Sequence, residues 1–597
     1  METRWNKYYP EWTGEVANMP AGTMYTRLVS VCREYPYRTA YEYFSLKVTY
    51  SDFLNQVDAA ATMWQMQGVQ EGDGVCLCMG GCPDVIISIY ALNRLGAVIS
   101  LLVPDSTPDE FADFACGIDA KFALMSYNQY SNWSGVFGRT KLRKIVIGRY
   151  KDYIPAGPAV QYHMSGIAEY DRKCSITGEA PAVLWKTATS EAADYIMSDS
   201  YTEPPVSESV DRISVRFEST LNDPDIVAVE ATDIAINTAS DISSIITKRC
   251  EKKKGSPLRV LCLNEYCYVY GFLVGIHNVL LSGHTLLIYT WYDSNNIMAP
   301  IRLYKPDTLV AFSGTLAKIN AASGSMSAVK NAKFLISAGV PLTLAQKAGL
   351  MELMTSLGRH PEIHSFYGNS ELFEFLYCMP EMVNEGAVGI PLPDVLVKIV
   401  DRNSMFDMPR GKEGEIAVHS PSMCRSFLMR DGSHKNPFRK LSDGRSWRLT
   451  EDIGIENEEG VFFRYSNVRG GFKISSATVY PAKVEKVIEL VAGVIDVACV
   501  VTDTVEGPVL AAAIVPEENY FYDNDAMQRL KARVGDECAS MLTEPERPSE
   551  IYFFASIPKE PGGRVNYAEL GNKVNEIRSL MDEDDIGDEP LETDSES

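Results

Sequence analysis

Hydrophobic residues along the chain form short runs that alternate with stretches of helical spacing. Residues 74–79 predict a strand, and residues 83–95 follow with apolar side chains on one helical face. A second strand is predicted to begin at Gly96. Strands that alternate with helices in this way form parallel sheets, because each connection crosses back over the sheet. The spacing therefore predicts an α/β fold.

This alternation returns later in the chain and then changes. It is repeated over residues 259–262 to 284–289, 308–312 to 334–337, and 363–366. From residue 386 to 463 short strands are joined by glycine, proline and aspartate turns, which favours a small antiparallel sheet or barrel. Residues 156–211 have poor periodicity and predict connecting segments with a few short elements. A final segment of about 110 ordered residues has the size of a small separate domain.

Charge limits the class of partner. The 597 residues include 56 lysines and arginines against 79 aspartates and glutamates, for a formal net charge of −23. Such an excess repels nucleic-acid backbones and anionic membrane surfaces, although a local site can still hold one nucleotide. Residues 581–597 carry nine acidic side chains and no basic one, which predicts a disordered tail.

Compartment is indicated by the absence of two signals and by the cysteines. Residues 1–10 have no apolar stretch, so we expect no signal peptide. The longest apolar stretch, near residues 268–276, is far shorter than the ~20 residues of a membrane span. Thirteen scattered cysteines, an odd number, favour free thiols. We therefore expect a cytoplasmic protein without a membrane span.

A series of short motifs follows the chain in a fixed order that is more specific than any one of them. It comprises residues 68–75, 93–98, 102–104, 337–342, 367–371, 386–393, 411–416, 447–452, 479–485 and 558–564. Two of these motifs are Tyr367-Gly368-Asn369-Ser370-Glu371 and Trp447-Arg448-Leu449-Thr450-Glu451-Asp452. Over roughly residues 49 to 570 the series resembles the adenylate-forming superfamily of acyl-CoA synthetases, peptide-synthetase adenylation domains and luciferases.

The resemblance implies an architecture and a reaction. It implies an α/β protein whose large N-terminal domain, residues 1–466, has wound parallel sheets and a small β-barrel. A smaller mobile α/β lid follows over residues 467–580, and then the acidic tail over 581–597. Such enzymes use Mg²⁺ and ATP to convert a small-molecule carboxylate into an acyl-adenylate. Many then move the lid and pass the acyl group to a thiol, either of coenzyme A or of a carrier protein.

Nucleotide-binding positions follow from the matched motifs. On the resemblance, Tyr367 would stack on adenine, and Gly368 would let the backbone approach the base. The run Ala338-Gly339-Val340 would line the other side of the base. Asp452 would accept both ribose hydroxyls, which suits a carboxylate that only accepts hydrogen bonds.

Phosphate and carboxylate positions are matched in the same way. Ser370 would bond the α-phosphate, and Glu371 would hold Mg²⁺, which prefers oxygen ligands. Tyr268 stands where the family often has histidine at the carboxylate pocket. Lys473 retains a lysine of the segment before the lid, and Arg564 takes the place of the catalytic lid lysine. Arginine keeps the charge of that lysine but has a planar fork.

The largest departure from the family lies in the phosphate loop. The best match is Phe217-Glu218-Ser219-Thr220-Leu221-Asn222-Asp223-Pro224-Asp225, in which Thr220 keeps a hydroxyl for phosphate. No glycine remains to turn backbone amides toward phosphate, and Asp225 takes the place of the lysine. Glu218 and Asp223 add negative charge. Each close like-charge contact costs on the order of 4 kcal/mol at an effective dielectric constant of ~20.

A second departure lies before the lid. Asn467 stands in place of an arginine that would bind ribose or phosphate, and Arg469 stands in place of the hinge carboxylate. The usual Arg-Gly pair after Lys473 is Ser475-Ser476. Two hypotheses therefore stay open: a divergent carboxylate-activating ligase, or a pseudoenzyme that keeps the fold to bind a ligand or a protein partner. The fold alone does not distinguish between these two hypotheses, because one fold can host different functions.

Restoring positive charge to the loop tests where it lies. We expect the double variant Asp225→Lys with Glu218→Ser to bind Mg²⁺·ATP more tightly than the unchanged protein, because an ammonium group replaces two carboxylates beside the triphosphate. Calorimetric titration with ATP measures the difference. Equal affinities would mean that residues 217–225 do not face the phosphates.

Overall fold

The computed structural model describes residues 5, 8–9, 22–154, 171, 181–219, 225–250, 256–290, 297–321, 329–339, 342–382, 386–467, 472–474, 477–504, 507–558 and 565–585. Its internal contacts divide the chain into two compact units. The first unit contains Met1–Lys398, Ala417–Leu449 and Glu456–Phe462, and the second contains Ile399–Ile416, Thr450–Ile455 and Phe463–Ser597. Across the described ranges, no helix is both long enough and apolar enough to cross a bilayer.

Strands occur along the whole described chain. They are β1 Thr39–Tyr43, β2 Leu46–Thr49, β3 Gly74–Leu77, β4 Val98–Leu101, β5 Ala120–Ser126, β6 Lys144–Gly148, β7 Ala182–Leu184, β8 Ile213–Glu218, β9 Ile226–Thr232, β10 Arg259–Cys262, β11 Thr285–Ile288, β12 Thr308–Ala311, β13 Phe334–Ser337 and β14 Glu362–Asn369. The later strands are β15 Phe373–Cys378, β16 Ala387–Pro391, β17 Leu396–Val400, β18 Gly414–His419, β19 Ser426–Met429, β20 His434–Lys435, β21 Arg439–Lys440, β22 Ser446–Glu456, β23 Phe462–Asn467, β24 Phe472–Ile474, β25 Ala477–Val479, β26 Val494–Thr504, β27 Gly507–Pro516 and β28 Glu550–Phe553.

Helices separate most of these strands. They are α1 Met24–Glu34, α2 Tyr50–Met66, α3 Pro83–Leu95, α4 Pro108–Gly117, α5 Tyr127–Trp133, α6 Trp185–Ile196, α7 Asp233–Cys250, α8 Val269–Phe272, α9 Asn278–Leu281, α10 Met298–Tyr304, α11 Ser313–Ala321, α12 Leu344–Ser356, α13 Pro481–Glu489, α14 Asn524–Met541 and α15 Tyr567–Asp585. A π-helical turn, Leu273–His277, joins α8 to α9. The described residues also form 3₁₀ turns over Ser134–Arg139, Tyr150–Tyr153, Glu518–Tyr522 and Glu544–Glu546.

Local sequence signals explain where the helices begin and end. Helix α3 begins with Pro83, whose fixed φ suits the first helical position, and stops at Gly96 with φ 77°. Helix α4 has a capping box in which the Thr107 hydroxyl accepts from the Glu110 amide while the Glu110 carboxylate accepts from the Thr107 amide. These signals mark the ends of the helices within a few residues of sequence.

Two sheets with parallel centres form the first unit. In the larger sheet, β14, β13, β12, β10, β11 and β1 are neighbours in that order, and all of these pairs are parallel. In the other sheet, β8, β4, β3, β5, β6 and β7 are parallel neighbours, and β9 and β19 continue antiparallel beyond β8. The predicted parallel α/β fold is confirmed.

Aromatic side chains connect the two sheets of the first unit. Phe217 on β8 of one sheet packs edge-on against Phe272, with ring centroids 5.5 Å apart. It also contacts Phe373, the first residue of β15 in the other sheet, at 6.5 Å. Phe217 belongs to the predicted phosphate loop, but its ring is buried in this packing.

A three-stranded sheet with a helix layer on each face forms the core of the second unit. Strand β27 pairs antiparallel with β26 and parallel with β28. Alternate residues of β26 point to opposite faces, so that Val497 and Cys499 pack with α13 and α14, whereas Ala498 and Val500 pack with α15. The predicted smaller C-terminal α/β domain is present.

Three local expectations can be compared with the described residues. The region of short strands predicted over 386–463 ends with β23, which begins at Phe462 and continues past that limit to Asn467. Within 156–211, predicted to have only short elements, α6 spans 12 residues. Helix α15 continues to Asp585, so the first five residues of the predicted tail are helical, and 586–597 lie outside the described residues.

One buried carboxyl group in the first unit predicts a pH-dependent stability. Glu374 on β15 lies opposite Gly368 on β14 and is 1% exposed. The Ser243 hydroxyl donates to its Oε2 atom at 3.2 Å. Burial raises the pKa of Glu374 from 4.5 to about 8.

We expect Glu374→Gln to raise the free energy of unfolding at pH 8 by a few kcal/mol and to have a much smaller effect at pH 5. The folded chain keeps the proton between about pH 4.5 and 8, whereas the unfolded chain releases it, so native stability falls as pH rises through this window. Thermal denaturation at several pH values measures the trend. Exposed Glu352→Gln is the matched control, and an equal gain at both pH values would contradict the titration.

Candidate functional site

The carboxyl ends of two neighbouring parallel strands form the centre of the candidate site. Strands β13 and β14 pair in register, with Ser337 opposite Ser365. Ala338-Gly339 follows β13 directly, and Tyr367-Gly368 lies at the end of β14. The Gly368 amide donates to the Gly339 carbonyl at 3.3 Å. The structure therefore brings four of the predicted adenine-binding residues together, at the sheet edge where α/β proteins bind ligands.

Both glycines at this edge are required by close contacts. A Cβ atom at Gly368 would overlap the Phe373 carbonyl oxygen and lie 2.8 Å from the Tyr270 hydroxyl. Gly339 has φ 94°, which favours glycine, and a Cβ atom there would lie 3.3 Å from the Tyr270 ring. Tyr270 therefore covers both glycines closely.

An aromatic group surrounds the glycines. Phe312, after β12, contacts Tyr268 at 6.1 Å and Tyr270 at 6.3 Å, both edge-on. The predicted Tyr268 is half-buried in this group. Tyr270, two positions later, is the residue that contacts the glycines. Tyr270 and Phe312 were not predicted, and the only sequence signal was the aromatic spacing of Tyr268 and Tyr270 in one motif.

Tyr367 itself is packed rather than open. Its ring is 3% exposed and meets Phe375 edge-on at 5.2 Å. Tyr367 lies at the sheet edge and is also part of the antiparallel pair of β14 and β15. Stacking of this ring on adenine stays a prediction.

A tight turn after β14 presents the predicted phosphate residues. Asn369 pairs with Phe373, so that the connection between β14 and β15 has three residues. The Leu372 amide donates to the Asn369 side chain at 2.9 Å, and Phe373 has φ 59°. This geometry is that of a short hairpin loop with one left-handed residue. It places Ser370 and Glu371 side by side at the site.

Glu371 is already engaged by an arginine. Arg448 Nη2 donates to Glu371 Oε1 at 2.8 Å, and the Ser370 hydroxyl donates to Glu371 Oε2 at 3.1 Å. Glu371 is 2% exposed and the Arg448 side chain is 15% exposed, so the ion pair is largely shielded from water. Arg448 lies in the motif of residues 447–452, but no local sequence pattern indicates that Glu371 is its partner.

This geometry does not fit Mg²⁺ at Glu371. Both carboxylate oxygens already accept hydrogen bonds, and the guanidinium charge would repel a metal ion. Two unit charges 4 Å apart interact by ~4 kcal/mol at an effective dielectric constant of 20, and a divalent ion doubles that cost. The described residues also contain no group of three or more His, Cys, Asp or Glu side chains that could hold a metal. We assign no step to a metal at this residue.

Carboxyl groups gather near the predicted phosphate side. Burial, and then Asp105, raise the pKa of Glu265 to about 7. Burial also raises the pKa of Glu218, with a further contribution from Glu110. The Cys267 thiol is affected by both Glu265 and Glu218, which puts these two acids in one neighbourhood. Burial therefore disfavours the ionised form of both acids, and neither offers a positive charge to a polyphosphate.

A cavity of about 50 Å³ adjoins this acidic neighbourhood, which is space for a few water molecules. Its lining includes Asn264, Glu265, Tyr266 and Ile276. Asn264 accepts from the Phe312 amide at 2.8 Å, while its buried Nδ2 has no hydrogen-bond partner among the described residues. The cavity therefore offers an amide donor and an acid to a small polar group.

The predicted ribose residue lies in the second unit. Arg464 Nε donates to Asp452 Oδ1 at 2.8 Å, and the Asp452 amide donates to the Thr450 hydroxyl at 3.2 Å. Glu451, directly before it, has φ 62°, and its amide donates to the Glu415 carboxylate at 2.9 Å. Such left-handed backbone at a non-glycine residue is often found at functional sites. Arg464 was not predicted; it stands three residues before Asn467.

The remaining predicted residues are described in part or not at all. Lys473 lies on β24 opposite Thr478, and its side chain is outside the described part. Thr220, Val340 and Arg564 lie outside the described residues, as do positions 468–471 of the predicted hinge. Their roles stay predictions.

Two family models match the chain. The one described as AMP-binding enzyme matches residues 28–156 and 228–428, together more than half of the chain. The one described as AMP-binding enzyme C-terminal domain matches residues 483–564. The interval between the first two segments contains the predicted phosphate loop, residues 217–225.

Curated relatives and solved structures resemble the chain over most of its length. A long-chain-fatty-acid–CoA ligase of Bacillus subtilis (strain 168) is 20% identical, over 94% of this chain and 96% of the relative. A luciferin 4-monooxygenase of Nipponoluciola cruciata is 22% identical over 50% of this chain and 52% of its own. ATP-bound MatB from Rhodopseudomonas palustris shares the fold with TM-score 0.70 and 16% identity, over 93% of this chain and 99% of its own. An anthranilate CoA ligase in complex with anthranoyl-AMP gives TM-score 0.69 and 15% identity, over 95% and 98%.

The close contacts of Gly368 predict that this position tolerates no side chain. We expect Gly368→Ala to lower the free energy of unfolding by about 3 kcal/mol, because the added Cβ must push the Phe373 carbonyl away. Thermal denaturation measures the loss. Gly314→Ala is the matched control, since a Cβ atom there meets nothing within 4 Å. Equal stability of the two variants would contradict the close approach of β14 and β15.

Proposed function

Because this chain belongs to the family of AMP-binding enzymes, we propose that it is a ligase of the acyl-CoA synthetase type that activates a small-molecule carboxylate with ATP. A carboxylate oxygen attacks the α-phosphorus of ATP, and pyrophosphate leaves with the electrons of the broken P–O bond. The product is an acyl-adenylate. A thiol sulfur, of coenzyme A or of a carrier protein, then attacks the acyl carbon, and AMP leaves.

The backbone contact between the ends of β13 and β14 supports this proposal most directly. The Gly339 and Gly368 backbones meet at 3.3 Å beneath Tyr270, at the carboxyl edge of a parallel sheet. Open α/β sheets bind ligands in the crevice outside the carboxyl ends of the strands, and glycine lets the backbone come close to a bound group.

The chain's own residues take the following proposed roles. Tyr367 and the Ala338-Gly339 segment hold the adenine, and Asp452 accepts the ribose hydroxyls. Ser370 donates to the α-phosphate when its hydroxyl turns from Glu371, to which it donates at 3.1 Å. Tyr268 faces the carboxylate of the acid. Arg564 supplies positive charge to the leaving pyrophosphate.

A second function, ligand binding without ligase chemistry, is favoured by one specific observation. The carboxylate expected to hold Mg²⁺ is paired with Arg448, whose Nη2 donates to Glu371 Oε1 at 2.8 Å. Adenylation requires preorganised positive charge around the transferring group. A protein that retained only the adenylate-binding half would act as a binding partner for a ligand or a protein.

We also place the protein in the cytoplasm. The cysteines that the structure describes are free thiols, and all but Cys116 and Cys262 are buried. This is the usual condition of cysteines in a reducing compartment.

Pyrophosphate release tests the ligase proposal. With ATP and a panel of carboxylates, we expect the purified protein to release pyrophosphate with at least one acid. We expect Glu371→Ala and Asp452→Ala to lower the rate by about 100-fold or more, because the first loses the partner of Arg448 and Ser370 and the second loses the ribose acceptor.

Exposed Glu459→Ala controls for the loss of one negative charge, and we expect it to keep the full rate. A protein that binds AMP by calorimetry yet releases no pyrophosphate with any acid supports the second function. A protein that binds no adenine nucleotide at millimolar concentration contradicts both functions as adenylate-site proposals.

A further inference from the structure

Arg448 has a defined place beside the turn that carries Ser370 and Glu371. It lies on β22, and its Nη2 donates to Glu371 Oε1 at 2.8 Å. Its guanidinium carbon lies 5.6 Å from the centre of the Phe427 ring. With 15% of the side chain exposed, the guanidinium is held between a carboxylate and an aromatic ring. Its charge is therefore a fixed part of the site.

The Glu371 carboxylate is already paired inside the site. One oxygen accepts from Arg448 and the other from Ser370, and the residue is 2% exposed. Its backbone carbonyl also accepts from the Cys424 amide at 2.8 Å. A divalent cation at this carboxylate would stand beside the guanidinium charge, which cannot be lost by deprotonation.

The guanidinium, in contrast, still has donors to offer. Arginine carries five N–H donors in a planar fork that matches phosphate oxygens. Arg448 Nε is buried and has no hydrogen-bond partner among the described residues. A buried donor without a partner is costly and is commonly satisfied by water or by a ligand. The Ser370 hydroxyl, on the same carboxylate, is the second donor available to one phosphate group.

We propose that Arg448 takes the place of the divalent cation at this site and binds the phosphate of a nucleoside monophosphate or an acyl-adenylate without metal. The proposal rests on the proposed function, because it concerns the same adenylate site. One phosphate group fits one guanidinium and one hydroxyl. Further phosphates gain no partner from this one guanidinium and one hydroxyl, so we expect the triphosphate to gain no affinity over the monophosphate.

Calorimetry with AMP and ATP, each in excess EDTA and in Mg²⁺, tests the proposal on the full-length protein. We expect the same Kd for AMP within about twofold in EDTA and in Mg²⁺, and no tighter binding of ATP. Arg448→Leu should raise the Kd for AMP about tenfold or more in EDTA, the usual loss for one hydrogen bond to a charged group. Glu371→Gln keeps the guanidinium and should bind AMP within about fivefold of the unchanged protein.

Arg448→Leu leaves a buried carboxylate unpaired and can fail to fold. The double variant Glu371→Gln with Arg448→Met removes both charges and keeps the volume, so it serves as the second test. We expect it to fold and to bind AMP about tenfold more weakly. Unchanged AMP binding in the double variant would overturn the proposal.

The proposal is also overturned if nucleotide binding by the unchanged protein weakens tenfold in EDTA and Glu371→Gln removes that difference. A nucleotide-free arm uses Mn²⁺ alone, with free Mn²⁺ followed by electron paramagnetic resonance. We expect the unchanged protein and Glu371→Gln to bind equal amounts of Mn²⁺. A bound ion that Glu371→Gln loses would show that Glu371 is a metal ligand. Failure to bind any nucleotide would contradict the proposed function, while the Mn²⁺ arm would still decide the place of Arg448.

Discussion

A buried carboxyl group keeps its charge only where a cation lies close to it, and in the first unit that constraint acts on Glu371. Arg448 supplies the charge from β22, and Ser370 supplies the remaining hydrogen bond. Removing one member of such a pair costs far more than the pair itself contributes, so the turn after β14, the strand β22 and the Phe427 ring are tied to one geometry. Glu371, which was expected to bind a metal ion, forms an ion pair with an arginine instead, and the electrostatics of the site depend on this ion pair.

The two sides of the candidate site differ in their physical character. On the adenine side, glycine backbones meet at 3.3 Å under an aromatic cover, an arrangement suited to a flat neutral base. On the predicted phosphate side, Glu218 of the predicted phosphate loop has a pKa raised by burial. The 20% identity to a fatty-acid ligase is compatible with both of these characters. Core packing maintains the fold, whereas a few charged side chains determine the chemistry.

Much of the architecture could be predicted from local patterns. The strand and helix of residues 74–95 appear as β3 and α3, with the helix ended by Gly96 as its φ requires. Tyr367, Gly368, Ala338 and Gly339 could be grouped only through the family resemblance, and the parallel pairing of β13 with β14 brings their backbones together. The ion pair of Arg448 with Glu371, and that of Arg464 with Asp452, could not, since partners 77 and 12 residues apart leave no periodic signal. Tyr270 was hidden for a similar reason: its reach to Gly368 depends on the course of the loop before α8.

The sequence by itself determined the α/β alternation, because periodicity and short-range turn chemistry act within a few residues. The ordered series of motifs, by its resemblance to known proteins, indicated the family. Only the tertiary structure decided which charge faces which. Whether Glu371 is available to a metal depends on a guanidinium brought in from β22, and whether Tyr367 has an open face depends on Phe375 across the hairpin. Electrostatic and packing partners are set by distance in space, which the order of residues along a chain does not encode locally.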